Sequence, residues 1–91
     1  MNKNELIARV ADRTNMSKTA AAEAVEATFA EIEGALKAGG EVRIVGFGNF
    51  VVAHRKASTG RNPRTGETIK IPASTTPKFR PGKALKDAVN S

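Results

Sequence analysis

The sequence has no cysteine, no tryptophan and no tyrosine, and it holds a single histidine, His54. Without thiols there is no disulfide staple and no thiolate metal site, a pattern that fits a reducing cytosol. A lone histidine beside Arg55 cannot assemble a metal site. It also has no carboxylate or nucleophile partner for acid–base work, so His54 reads as a surface residue. No acid pair lies in the basic half of the chain, where a substrate would dock, so an enzyme is the poorest of the candidate functions. No cofactor, metal or small-molecule substrate is expected. The opening residues, Met1-Asn2-Lys3-Asn4-Glu5, lack the apolar run of a signal peptide, and no stretch approaches membrane-spanning length. The expectation is a soluble protein that stays inside the cell, with no membrane partner.

Acidic residues are scarce in one half only. Residues 1–50 carry six basic and seven acidic side chains, whereas residues 51–91 carry nine basic ones against Glu67 and Asp87. The net charge of +6 is therefore a near-neutral first half followed by a cationic second half. That asymmetry favours a polyanion. Nucleic acid comes before membrane because no amphipathic basic helix lies in the cationic half.

Ninety-one residues fit one small domain. If a segment of it projects, about 70 residues remain for a core, a size at which burial alone is marginal. Dimerisation would supply the missing surface. Asn2 followed by Glu5 has the form of a helix cap, and Leu6, Ile7, Val10 and Ala11 then share a face up to about residues 13–15. Ser17 is the expected cap of a longer helix over about 18–38, with an apolar stripe of Ala21, Val25, Phe29, Ile32 and Leu36. Gly39-Gly40 stops it. The stripe reads as core plus dimer seam rather than a cofactor groove. A helix-turn-helix is disfavoured, because the second helix begins Lys18-Thr19-Ala20-Ala21-Ala22-Glu23, poor in base-reading side chains.

Residues 41–45 alternate with period two, as in a half-buried strand that includes Ile44. Gly46-Phe47-Gly48 is expected as a tight turn, followed by a strand through residues 49–52 that runs on into basic sequence. Phe47, Phe50 and Phe79 could stack on bases but read as core, since aromatic side chains dominate small cores. From about residue 53 to 74 the chain is polar and cationic, with Gly60-Arg61-Asn62-Pro63-Arg64-Thr65-Gly66 at its middle. A strand-like run over 68–71 follows, so the segment reads as a hairpin that projects from the body. Pro72 is expected within the returning strand, its missing N–H facing the free edge. Arg55 and Arg61, six apart, would share a face of an unbulged strand. Pro63 at the tip is either a rigid wedge for a base step or a plain turn proline, and Asn62 either reaches the groove floor or only initiates the turn. The residue types alone leave both questions open. A short helix over about 83–90, with Leu85 and Val89 on one face, completes the chain.

Gly46-Phe47-Gly48-Asn49-Phe50, Arg55 and Gly60-Arg61-Asn62-Pro63-Arg64-Thr65-Gly66-Glu67 together resemble the bacterial histone-like family of HU and integration host factor. The match continues through Ile71-Pro72-Ala73, Pro77-Lys78-Phe79, Gly82-Lys83 and Leu85-Lys86, and so spans essentially the whole sequence. The resemblance implies an α+β fold built as an intertwined dimer. Its parts are an N-terminal helix hairpin, a three-stranded antiparallel sheet with an extended β-ribbon arm, and a short C-terminal helix. It places a helical dimerisation part at 1–40, a β-saddle at 41–82 with its arm at about 53–74, and the last helix at 83–91. The dimer core would include Val25, Phe29, Ile32, Leu36, Ile44, Phe47, Phe50 and Phe79.

The function so implied is non-enzymatic, largely sequence-independent binding and bending of double-stranded DNA. Two arms enter the minor groove, each with Pro63 as the wedge. Arg61 and Asn62 flank it to meet the groove floor. Arg55, Lys56, Arg64, Lys70, Lys78, Arg80, Lys83 and Lys86 mainly neutralise phosphates. The family often has arginine where this chain has Ser58, which would remove a phosphate contact from each arm. The expected setting is a bacterial nucleoid in the cytoplasm, with the chain pairing with itself. Two alternatives are a sequence-preferring subunit of the integration-host-factor type, paired with a paralogue, and an RNA-binding module.

Overall fold

Asn2 starts the first helix through its side chain. In a computed structural model that describes residues 1–91, its Oδ1 accepts the Glu5 N–H at 2.8 Å and caps α1, Lys3–Thr14. Asn15 closes that helix in the left-handed conformation (φ 56°), with its N–H and that of Met16 both donating to Ala11 O. Ser17 Oγ then accepts the Ala20 N–H at 3.1 Å and opens α2, Lys18–Lys37. Gly39, at φ 85°, lies just past its end and donates to Leu36 O.

The chain divides into two units, Met1–Ala35 and Leu36–Ser91. In the first, Ile7 and Ala11 of α1 pack with Ala21 and Val25 of α2, flanked by Leu6, Val10, Met16 and Ala22. The lone bridge between the two helices, Lys3 to Glu26 at 3.4 Å, is exposed on both sides and contributes little. The apolar stripe of α2 outruns this core. At 1.5 Å per residue α1 has 12 residues and α2 has 20, so α2 extends about 12 Å further. Beyond Val25 the stripe is open, with Phe29 47% exposed and Ile32 only half-buried.

The second unit begins with Leu36, also half-buried. Its sheet has three strands in the order β1 (Val42–Ile44), β2 (Gly48–Arg55) and β5 (Ser74–Pro81), all antiparallel. β1 is shorter than the 41–45 expected, because Val45 already belongs to the turn 45–47. That turn uses Gly46 at φ 80°. Gly48, expected in the turn, is instead the first residue of β2. A Cβ there would stand 2.6 Å from both Arg80 O and the Phe79 ring, so glycine serves close strand–ring approach. Phe47 and Phe50 both pack on Phe79, at centroid distances of 5.4 and 4.9 Å and tilted geometry.

A second, two-stranded sheet pairs β3 (Ser58–Arg61) with β4 (Thr68–Ile71). It continues the β2–β5 hairpin in the same register, since Arg55 faces Ser74 and, three residues on, Ser58 faces Ile71. Between them Lys56 and Ala57 on one side, and Pro72 and Ala73 on the other, are unpaired. Pro72 therefore sits at a break between strands, not inside one as expected. A proline has no N–H to give a ladder, so a break is where it costs least.

The break also changes the phase of the bonding. Gly82 N–H donates to Phe47 O at the foot of the ribbon, and Asn62 N–H donates to Glu67 O at its tip. Both pairs obey one register, yet 47 and 62 lie an odd number of residues apart. An uninterrupted antiparallel ladder, alternating bonded and non-bonded pairs, could not bond both. The ribbon is thus re-phased at the break. The premise that Arg55 and Arg61 share one face of a continuous strand does not hold.

The chain ends in α3, Lys83–Val89. Gly82 precedes it, so close to Phe47 that an added Cβ would meet the Phe47 carbonyl oxygen at 3.2 Å.

Candidate nucleic-acid interface

The β2–β5 pair presents two chemically different faces. Phe50 opposes Phe79, while Val51 opposes Lys78 and Asn49 opposes Arg80. By strand alternation Phe79 lies on one face and Lys78 and Arg80 on the other. Lys83 and Lys86, three apart on α3, share a side of that helix.

Arg55 stands at the last pair of β2, where its guanidinium reaches Pro72 O at 3.4 Å, and Lys56 occupies the break itself. Lys70 opposes Thr59 and Arg61 opposes Thr68 on the outer ribbon. Pro63 and Arg64 lie in the turn at its tip. All nine cations of residues 51–91 are exposed, and none of them forms an ion pair. A row of unpaired cations on a two-stranded ribbon has no internal charge to satisfy. Those side chains are left open to an external polyanion.

The tip is tied down by its own residues. Asn62 N–H donates to Glu67 O and Asn62 O accepts the Gly66 N–H, both at 2.8 Å. Asn62 Oδ1 accepts the Arg64 N–H at 2.9 Å. Gly66 takes φ 73°, the left-handed conformation that closes the loop. Pro63, which has no N–H, is left exposed at the apex. Thr65, which the sequence did not single out, accepts the Glu67 N–H through Oγ1 at 3.3 Å. Its Thr-x-Glu spacing is the signal of a hydroxyl-capped turn. Thr75 was missed as well: its Oγ1 lies 3.1 Å from His54 Nδ1, across the strand pair.

The arm gathers Arg55, Lys56, Arg61, Asn62, Pro63, Arg64 and Lys70, while Lys78, Arg80, Lys83 and Lys86 lie on the sheet and α3 of the same unit. Of the eight apolar residues assigned to a dimer core, only Val25 is buried within the single chain. Phe29, Ile44, Phe47 and Phe79 are exposed, and Ile32, Leu36 and Phe50 are half-buried.

The model of the family described as "Bacterial DNA-binding protein" matches residues 1–90. DNA-binding protein HRm of Rhizobium meliloti is 60% identical over 90 residues, 99% of this chain and 100% of that protein. DNA-binding protein HU of Geobacillus stearothermophilus is 56% identical over 89 residues, covering 98% of this chain and 99% of its own. Among solved structures, an Anabaena HU–DNA cocrystal superposes with a TM-score of 0.86 at 40% identity, covering 98% of this chain and 97% of that one. The helix hairpin, the three-stranded sheet with its arm, and the near-complete match to these proteins agree. The chain belongs to the bacterial DNA-binding protein family that includes HU.

Proposed function

We propose that the chain, as a homodimer, binds double-stranded DNA largely without regard to sequence and bends it, without catalysing any reaction. The observation that carries this is Pro63, a rigid ring exposed at the apex of an unpaired cationic ribbon. Such a ring can enter between base pairs, where unstacking costs a few kcal/mol and is offset by wider contact with the bent duplex. Arg61 and Asn62 meet the groove floor beside it. Arg55, Lys56, Arg64, Lys70, Lys78, Arg80, Lys83 and Lys86 neutralise phosphates. The relatives named above support the reading, being DNA-binding proteins by name and, in one case, crystallised with DNA.

Each unit offers apolar side chains to a second copy: Phe29 and Ile32 in the first, and Leu36, Ile44, Phe47, Phe50 and Phe79 in the second. Exposed apolar area of this extent on so small a chain marks an interface. Residues 1–40 then serve dimerisation, 41–82 the saddle with its arm at about 53–74, and 83–91 the closing helix. The setting is the nucleoid of a bacterial cytoplasm.

Ligase-mediated circularisation tests the proposal. Duplexes shorter than the persistence length of about 150 bp close rarely unaided. The protein is expected to raise circle yield strongly. Tight binding with no gain in circles, or structured RNA displacing the duplex, would overturn the reading.

A further inference from the structure

We infer that His54 is a further contact to the DNA backbone, switched on by its own protonation. As an imidazolium it joins Arg55 and Lys56 in seating a phosphate at the root of each arm. The chain then grips DNA more tightly in mildly acidic than in mildly alkaline solution. The inference rests on the DNA-binding reading above, and adds to it a residue and a condition.

The one histidine of the chain is the penultimate residue of β2, opposite Thr75. Beyond Arg55 the ladder stops. An open cleft of about 340 Å³ lies there, walled by His54, Arg55, Lys56, Ala73, Ser74 and Thr75, all of them exposed. Strand alternation alone would put His54 and Arg55 on opposite faces, but at the break both border the same gap. The cleft offers two fixed cations, two hydroxyls and no carboxylate, the lining that a phosphate requires.

The ring is held by one nitrogen and open at the other. Nδ1 lies 3.1 Å from Thr75 Oγ1, and Nε2 has no protein partner. A neutral imidazole carries one N–H, whereas the imidazolium carries two. Once charged, Nδ1–H stays on Thr75 Oγ1 while Nε2–H donates outward. The ring thus gains charge without changing its pose.

Nothing within the chain neutralises that charge. β2 and the break set Arg55 and Lys56 beside the ring, and β5 sets Ser74 and Thr75 there, neither of them charged. On the loop after α2, Glu41 borders a second cleft that His54 also lines. Glu41 is already taken, since its carboxylate holds the Arg43 guanidinium at 2.6 Å, and His54 forms no ion pair. A phosphate in the first cleft supplies the missing anion. Protonation and DNA binding then favour each other, so affinity rises as pH falls through the range of about 8 to 5 in which histidines change charge.

Anisotropy of one labelled duplex at about pH 5.8 and about pH 8, each from 50 to 200 mM salt, compares the native protein with His54→Gln. Glutamine keeps a polar group near Thr75 and cannot take up the proton. Each imidazolium that neutralises a phosphate adds about 0.9 to the slope of log K against log salt, or about 1.8 for the two of a dimer. The native slope should be steeper by that amount at the lower pH, and the H54Q slope should be the same at both. Equal thermal melting will report an intact fold. An α-amino group also titrates near this range, but both proteins carry one, so a difference between them belongs to His54. A native slope indifferent to pH, or a pH effect that survives in H54Q, would overturn the inference. A native protein that binds no duplex at either pH refutes the DNA reading instead. Sulfate, whose charge is fixed in this range, then decides the cleft alone. It should move the ring signals of the single histidine more at the lower pH, and equal movement at both values, or none, would overturn the anion site.

Discussion

Removing two saddle cations should change the salt dependence of binding more than the fold. Lys78 and Arg80 lie on one face of β5, both exposed and without an acidic partner, so glutamine at both positions breaks no ion pair. Each neutralised phosphate contributes about 0.9 to the slope of log K against log salt. A dimer carries four such side chains, so K78Q/R80Q should lower the slope by about 3.6 if all four touch phosphate. Over a fourfold rise in salt that difference amounts to roughly a hundredfold, by which the gap between native and variant affinity closes. Fluorescence anisotropy on a labelled duplex from 50 to 200 mM salt measures both slopes, and thermal melting confirms that stability is unchanged. Parallel lines for native and variant would show that these residues do not face DNA. A native slope near zero would remove the phosphate account altogether.

Gly48→Ala forces a methyl to within 2.6 Å of Arg80 O and the Phe79 ring. It should cost about 1–3 kcal/mol of overpacking, a fall of roughly 10 °C in Tm, and an unchanged melt would contradict the close approach. Phe29→Glu places a charge in the exposed α2 stripe and should abolish the dimer at micromolar concentration; sedimentation at the native rate would refute a seam there. Amides of β3 and β4 should exchange with solvent faster than those of β2 and β5, because a four-pair, two-stranded ribbon beyond a break has no third strand. Equal protection would mean the arm is as firmly held as the saddle.

Much of the fold was legible because local chemistry decides it. Asn2, Ser17 and Gly39 mark helix ends by side-chain oxygens and a positive φ, and each acts where the spacing placed it. The arm likewise follows from turn residues and from a polar run that no core would accept. What escaped depends on groups distant in sequence. That Gly48 opens a strand under the Phe79 ring is a matter of register with β5. The break at Lys56 and Ala57 arises from Pro72 and Ala73 across the ribbon, and alternation along one strand carries no sign of it. The extent of open stripe on α2 follows from the mismatch in length between two helices. At the tip, the turn reading of Asn62 is the one visible in the fold, since its side-chain oxygen accepts the Arg64 N–H.

The most direct test of a proline-tipped arm that curves DNA is an end-to-end energy-transfer measurement on a short duplex, saturated in turn with native protein and with Pro63→Ala. The native complex should bring the duplex ends markedly closer than in free DNA. P63A should bind with a modestly higher Kd while the ends move back most of the way. Equal end-to-end distances in the two saturated complexes would contradict the wedge.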